Sequence, residues 1–173
     1  VFIIDGNHED YSTFSSYDTV KEYNNQFNIS NNSKTNFFNS IINKILNRLP
    51  TCLYLKFNNR TYHLSHGAFD SFYAGFKKGK FLPSNDDFHK STVLYKFLKS
   101  TTTLCLLDKN NNSTNYKWGD FNNDISETTD SIRGTGIFEY SAELTKEYLT
   151  RFEITSIISG HQDREPINFL LDK

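Results

Sequence analysis

The chain has 173 residues, of which 36% are hydrophobic and 23% charged, and its net charge at pH 7 is -1. This length suits a single domain, and the balanced charge indicates neither a nucleic-acid binder nor a membrane-surface protein. No apolar run approaches the roughly 18 residues of a membrane span. Cys52 and Cys105 lie far apart in apolar runs, so a disulfide framework is not expected and a reducing, cytoplasmic location is favoured.

The first predicted element leads into a pair of candidate site residues. Residues 1–4 are apolar and predict a buried strand, which ends in a glycine turn that presents Asn7 and His8. Because Met is absent and Val1 already lies within the apolar run, we expect the chain to be part of a longer protein. The polar segment that follows contains one predicted helix, near residues 17–27.

A second helix and a hairpin follow in the sequence. Apolar residues at helical spacing predict a helix over residues 37–46, which Pro50 stops. The runs at residues 53–57 and 61–65 flank Asn58-Asn59-Arg60, and turn-prone residues between two strand-like runs predict a β-hairpin.

His66 falls at the outgoing end of the second hairpin strand. The glycines and proline of residues 67–86 predict a loop. A helix is then predicted at 89–98 and a short strand at 103–107, and the Asn-rich residues 109–115 predict a surface loop.

The C-terminal part of the sequence predicts a capped helix and two strands. Ser141 is a suitable N-cap for a helix with one apolar stripe. That stripe contains Leu144, Tyr148, Leu149 and Phe152. Residues 154–158 predict a strand that leads to His161, and residues 166–171 predict a final strand.

Asn7, His66 and His161 share one feature, because each follows an apolar strand and a sharp turn. Three side chains from distant parts of the sequence can therefore meet on one rim of a sheet, where scaffolds commonly carry function. Imidazoles and an amide oxygen suit Mn, Fe or Zn. Neutral ligands alone leave the charge of the metal uncompensated, so we expect bridging carboxylates, shared with a second metal, upstream of Val1.

Other residues near these turns suit phosphate chemistry. His8 could protonate a leaving alkoxide as a general acid, and Glu9 could orient it. Arg133 lies in a turn with Gly134 and Gly136 and offers the planar donor fork that grips a phosphoryl group.

Three further residues have simpler interpretations. Trp118, the single Trp, is assigned to substrate binding together with Asn7 and Arg133, and burial in the core is the alternative for Trp118. His63 lies on the strand face opposite to that of His66, and His89 lies at a polar helix start. Both are assigned to packing or surface roles.

Taken together, these motifs resemble the calcineurin-like metallophosphoesterases, and within them the serine/threonine protein phosphatases of the PPP type. The resemblance covers most of the chain. The similar segments are Phe2-Ile-Ile-Asp-Gly-Asn-His-Glu9, His66-Gly67, Trp118-Gly-Asp120, Arg133-Gly134 and His161-Gln162.

The resemblance implies a role for each matching residue. It implies that Asn7, His66 and His161 bind metal, that His8 is the general acid, and that Arg133 holds the phosphate. It also implies an α/β fold, in which two packed mixed β-sheets are flanked by helices, with a dinuclear Mn, Fe or Zn centre on the rim. Residues 1–173 would then form the C-terminal part of a metallophosphoesterase catalytic domain.

The chain departs from the family pattern in several places. The motifs that supply the first metal's ligands and the bridging Asp are absent, as is the C-terminal strand with its Tyr. Asp5 stands where the protein phosphatases usually carry Arg, Ala68 replaces a Gly, and Gly160 replaces an Ala. These departures argue against a protein substrate more than they argue against hydrolysis of phosphate esters.

We therefore expect a metal-dependent phosphoric monoester hydrolase in which a water activated by the metals attacks phosphorus in line. Phosphoserine or phosphothreonine protein is the favoured substrate, and a regulatory subunit would be compatible with it. No nucleic-acid or membrane partner is expected. Two alternatives stay open: a phosphoesterase for small molecules such as dinucleoside polyphosphates, and a non-catalytic pseudophosphatase binding domain. The isolated chain, which lacks the bridging carboxylate, is expected to be inactive.

Overall fold

The computed structural model describes residues 3–9, 22, 25–26, 44–46, 48–77, 80–81, 92–100, 104–107 and 114–162. Within these residues the chain is a mixed α/β protein with small sheets and helices. The strands are β1 Cys52–Phe57, β2 Arg60–Ser65, β3 Phe76–Lys77, β4 Lys80–Phe81, β5 Leu104–Leu107, β6 Asp120–Phe121, β7 Thr129–Asp130, β8 Phe138–Tyr140 and β9 Ser156–Ser159. The helices with complete bounds are α1 Ser71–Ala74, α2 Val93–Ser100, α3 Thr114–Trp118 and α4 Ala142–Arg151.

The largest described sheet has the strand order β5-β1-β2-β9. Strand β1 is antiparallel to both β2 and β5, whereas β2 and β9 are parallel. The predicted hairpin is confirmed. Its two turn residues, Asn58 and Asn59, have φ values of 49° and 60°. A two-residue hairpin turn that matches the twist of its strands needs positive φ at both positions, and Asn tolerates this better than most residues.

A second described sheet has the order β6-β8-β7, and it is also mixed because β8 is parallel to β6 and antiparallel to β7. Strands β3 and β4 form a separate hairpin. The prediction of an α/β protein with mixed sheets and helices is thus confirmed at this level.

Helix α4 forms as its sequence predicts. The Ser141 side chain accepts a hydrogen bond from the Leu144 N–H at 3.3 Å, which satisfies one donor of the first turn. Glu143 in the first turn and Arg151 in the last turn complement the helix dipole. The apolar stripe, Leu144, Tyr148, Leu149 and Phe152, is buried.

Aromatic side chains from both sheets and from α4 form much of the core. The rings of Phe69 and Tyr148 stack with centroids 3.9 Å apart, and Phe69 lies 4.4 Å from Tyr140 of β8. Such pairs contribute about 0.5–1.5 kcal/mol beyond the area they bury. The core therefore ties α4 to the segment that follows His66.

A buried hydrogen-bonded group of tyrosines joins the larger sheet to α3 and α4. The Tyr54 hydroxyl lies 2.9 Å from the hydroxyls of both Tyr116 and Tyr148. Tyr148 in turn lies 3.3 Å from Nδ1 of His63, whose ring stacks on Tyr54 with centroids 4.7 Å apart. His63 is fully buried, so its predicted packing role is confirmed.

The burial of His63 predicts a loss of stability at acid pH. Burial lowers the pKa of His63 from its ordinary 6.5 to about 3. Between these values the unfolded chain binds the proton and the folded chain does not. The free energy of unfolding should therefore be unaffected above pH 6.5 and fall by about 1.4 kcal/mol per pH unit below it. Urea unfolding at pH 7.5 and pH 5 measures this, and a His63→Gln variant should lose that part of the slope. An equal fall in the free energy of unfolding with pH in the wild type and in His63→Gln would contradict the attribution of this pH dependence to His63.

Several local predictions differ from the structure near the N-terminus. Ile3 and Ile4 belong to no strand of the described residues, and the Asp5 N–H that follows them donates to the Pro50 carbonyl at 2.8 Å. Lys44, Ile45 and Leu46 are helical, in agreement with the helix predicted over residues 37–46. Ile45 is one of the apolar residues whose spacing predicted that helix, yet its side chain is 53% exposed.

The segment 67–86 is not a loop throughout, because it contains α1 and the β3-β4 hairpin. The helix predicted at 89–98 begins at Val93, where the Thr92 hydroxyl accepts from the Tyr95 N–H at 3.2 Å.

Thr114 and Asn115 are helical rather than loop, and Asn115 is buried. Strand β9 starts at Ser156 rather than 154, because the Ile154 N–H donates to the Leu149 carbonyl at 2.9 Å and so closes the end of α4.

Some predictions fall wholly or partly outside the described residues. Glu22, Asn25 and Gln26 are helical, in agreement with the helix near 17–27, whose other residues are not described. His89 and the strand at 166–171 also lie outside the described residues. In the part of the chain that is described, no helix is long and apolar enough to cross a membrane.

Candidate functional site

The structure brings His66 and His161 together at the C-terminal ends of the parallel strands β2 and β9 of the larger sheet. Strands β2 and β9 run parallel, with Ser65 opposite Ser159, so the residues after both strands leave the sheet at the same edge. Nε2 of His66 lies 3.1 Å from Nδ1 of His161. The two imidazoles that were predicted to meet on one rim therefore do so.

Backbone hydrogen bonds fix the position of this pair. The carbonyl of His66 accepts from the N–H of His161 at 2.7 Å and from the N–H of Gly160 at 3.1 Å. The Ser159 hydroxyl donates to the same carbonyl at 2.9 Å. The end of β9 is thus fastened to the end of β2, which sets the separation of the two imidazoles.

The Asn7 turn packs directly against His66. A Cβ added to Gly6 would lie 3.2 Å from Cγ of His66, so the backbone of the turn approaches the imidazole closely. The Gly6 N–H donates to Oε2 of Glu9 at 3.0 Å. Asn7 is buried and His8 is exposed. The turn that carries Asn7 and His8 therefore lies beside the His66 ring.

Helix α3 supports the other side of His66. Gly67 donates to the Tyr116 carbonyl at 2.7 Å, and Ala68 donates to the Asn115 carbonyl at 2.9 Å. A Cβ on Gly67 would meet Asn115 O and the backbone carbon of Lys117, each at 2.8 Å. The backbone after His66 can approach α3 so closely only because residue 67 is glycine.

Asn115 is a site-supporting residue that the sequence analysis missed. Its side chain donates to the Gly136 carbonyl at 2.9 Å and accepts from the Phe138 N–H at 2.8 Å. It thereby joins α3 to the loop that carries Arg133. Nothing in its spacing distinguishes it from the neighbouring Asn110, Asn111 and Asn112, so only the tertiary contacts identify it.

Asp120 links Arg133 to His161. Nε of Arg133 donates to Oδ2 of Asp120 at 2.8 Å, and Oδ1 of Asp120 lies 3.8 Å from Nε2 of His161. The Arg133 side chain is 35% exposed, and its Nε contact uses one of five guanidinium N–H donors. The predicted phosphate-binding Arg is therefore held in the same cluster as the predicted metal ligand. Asp120 belonged to a recognised motif, but the sequence indicated no role for it.

Trp118 and Gln162 also contact this cluster. The partly buried Trp118 ring lies edge-on to His161 with centroids 5.9 Å apart. Gln162 makes two hydrogen bonds to Phe121: its Oε1 accepts from the backbone N–H at 3.0 Å, and its Nε2 donates to the carbonyl at 2.7 Å. Because Phe121 follows Asp120 in β6, Gln162 helps to keep Asp120 beside His161.

The electrostatic environment favours a neutral His66. Burial lowers the pKa of His66, and the nearby His8 lowers it further, whereas the negative charges of Glu9 and Asp5 raise it. The net direction is downward, and only a neutral imidazole can bind a metal ion. These interactions also place His8, Glu9 and Asp5 near the paired imidazoles.

The His66 and His161 nitrogens have the spacing of two ligands of one metal ion. Nitrogens that bind one ion at about 2.1 Å are about 3.0–3.4 Å apart for angles of about 90–110°. The observed 3.1 Å lies in that range. The described residues contain no cluster of three or more His, Cys, Asp or Glu suited to a metal.

A scan against protein-family models and a search of curated proteins found no match to the chain.

Proposed function

We propose that the chain is the C-terminal part of a metal-dependent phosphoric monoester hydrolase domain of the calcineurin-like metallophosphoesterase type. Phosphoserine and phosphothreonine proteins are the proposed substrates. The observation that carries the proposal is the 3.1 Å approach of His66 Nε2 to His161 Nδ1. Arg133 is joined to the same cluster through Asp120, so a phosphate-binding group and a candidate metal-binding pair lie together.

Asn7, His66 and His161 are the residues proposed to hold metal. In the metal-free chain the two imidazoles share an N–H···N hydrogen bond, so a bound ion would replace the proton between them. When bound, a pair of Mn, Fe or Zn ions would polarise the phosphoryl group and lower the pKa of a water molecule. The lowered pKa of His66 keeps its imidazole in the form that the ion requires.

The remaining residues have roles toward the substrate. Arg133 binds the phosphoryl oxygens through the guanidinium nitrogens that Asp120 does not occupy. His8, exposed next to buried Asn7, gives a proton to the leaving oxygen. Glu9 holds the turn closed through the Gly6 N–H. Trp118 contributes an apolar wall beside His161.

Hydrolysis of an aryl phosphate by the full-length protein with added Mn²⁺ tests this function. We expect metal-dependent turnover that His66→Ala abolishes, because that change removes one of the two paired imidazoles. Absence of turnover by the metal-loaded wild type on the aryl phosphate and on phosphoserine peptides alike would contradict the proposal and favour a binding domain.

Arg133→Lys in the same assay provides a matched comparison. Lys keeps the positive charge but loses the planar fork, so kcat/KM should fall by about 10²-fold. Arg60, exposed at the hairpin turn, gives the control Arg60→Lys, which should leave kcat/KM unchanged. Equal kcat/KM values for the two variants would remove Arg133 from the site.

A further inference from the structure

A buried ion pair joins the turn that carries Asn7 to helix α3. Asp5 is fully buried, and Oδ2 of Asp5 lies 3.6 Å from Nζ of Lys117, whose side chain is 6% exposed. Burial of two opposite charges carries a large desolvation cost, and a buried pair often contributes little net stability. Its presence therefore calls for an explanation other than stability. Asp5 is also a position at which the chain departs from the family it resembles, so the resemblance does not predict this pair.

The two partners lie on the two structural units that enclose His66. Asp5 immediately precedes Gly6, which packs on the His66 ring, and its N–H donates to Pro50 at 2.8 Å. Lys117 lies in α3 between Tyr116, which accepts from Gly67, and Trp118, which packs on His161. A contact between Asp5 and Lys117 thus spans from the Asn7 turn to the segment that supports both imidazoles.

We propose that Asp5 and Lys117 form a positioning pair, which holds the turn bearing Asn7 and His8 at a fixed distance from the His66 and His161 imidazoles. Separating the two buried charges would leave each one unpaired in the protein interior, whereas two apolar side chains of similar volume can slide past each other at little cost. The role of this turn in metal binding and catalysis rests on the proposed function. The positioning itself is a property of the metal-free chain and can be measured separately.

The first variant for the test is the double substitution Asp5→Leu/Lys117→Met. It removes both charges of the pair together, so neither is left buried without the other, and it should fold even where either single substitution does not. We expect its Tm to stay close to that of the wild type. The amide protection factors of residues 5 and 6, measured by NMR without metal, should fall about tenfold, because both amides are hydrogen-bonded where the turn is held. Amides of β1 and β2 should keep their protection.

The matched control removes an exposed ion pair. Lys99 and Glu153 lie 3.2 Å apart with side chains 51% and 73% exposed, and Lys99→Met/Glu153→Gln should leave every amide unchanged. Wild-type protection of residues 5 and 6 in the Asp5→Leu/Lys117→Met variant would overturn the proposal. An equal loss of protection in β1 and β2 would also overturn it, since that is a general effect on stability.

Mn²⁺ affinity, measured by calorimetry on the full-length protein, extends the test to the site. The double variant should bind Mn²⁺ about tenfold more weakly than the wild type if Asn7 is a ligand. If the wild type itself binds no Mn²⁺, the proposed function fails while the exchange measurement still decides whether the pair positions the turn. Unchanged Mn²⁺ affinity in the variant, with binding intact in the wild type, would count against the pair as a positioning element.

Discussion

Replacing His8 with Ala is expected to lower kcat for a phosphoserine peptide by about 10²–10⁴-fold, the usual contribution of a general acid. A serine alkoxide is a poor leaving group that needs a proton as its bond to phosphorus breaks. A nitrophenolate leaves without one, so the same variant should lose much less activity on a nitrophenyl phosphate. His8 is exposed beside the buried Asn7, and its charge acts on His66, so it lies at the site yet can reach a substrate oxygen.

The comparison of the two substrates is the control for this prediction, because binding and metal content are common to both assays. A variant that had only lost structure would lose activity on both substrates equally. Equal losses would therefore contradict the general-acid role of His8 and leave it a structural role in the turn.

Gly67→Ala is expected to destabilise the protein by about 1–3 kcal/mol, the usual range for overpacking. The added Cβ would meet three backbone atoms of α3 at 2.8–2.9 Å, and backbone cannot move aside as the end of a side chain can. Either α3 or the end of β2 must shift, and a shift of β2 would displace His66. We expect a lower urea midpoint together with lower Mn²⁺ affinity.

Gly160→Ala is the matched control for that substitution. A Cβ at Gly160 would lie 3.9 Å from Nδ1 of His66, which is ordinary van der Waals contact. Stability should therefore stay within about 0.5 kcal/mol of the wild type. Equal urea midpoints for Gly67→Ala and Gly160→Ala would contradict the close approach of α3 to residue 67.

Local signals in the sequence were sufficient for several elements. The hairpin follows from Asn58 and Asn59, because few residues accept positive φ at two successive positions. Helix α4 follows from its Ser141 cap and its apolar stripe. Both features depend on neighbours a few residues apart, and this is the range over which sequence patterns are informative. The meeting of His66 with His161 could also be predicted, since two strands that end at one edge bring their following residues together.

Other features depend on contacts between distant segments. In the sequence, Asn115 resembles the other asparagines of the segment 109–115, and only its hydrogen bonds to Gly136 and Phe138 distinguish it. Asp120 gains its position between Arg133 and His161 from the pairing of β6 with β8 and from the Gln162 contacts. The fully buried Asp5 would be assigned to the surface from its residue type alone. No local pattern reports which partner such a side chain meets.

A manganese-soaked crystal of the full-length protein, with an anomalous difference map, would show whether the paired imidazoles of His66 and His161 bind a metal ion. We expect a metal peak bound by Nε2 of His66 and Nδ1 of His161, with the amide oxygen of Asn7 as a third ligand, and loss of that peak in His66→Ala. An intact N–H···N bond between the two imidazoles at saturating Mn²⁺, with no peak beside them, would contradict it.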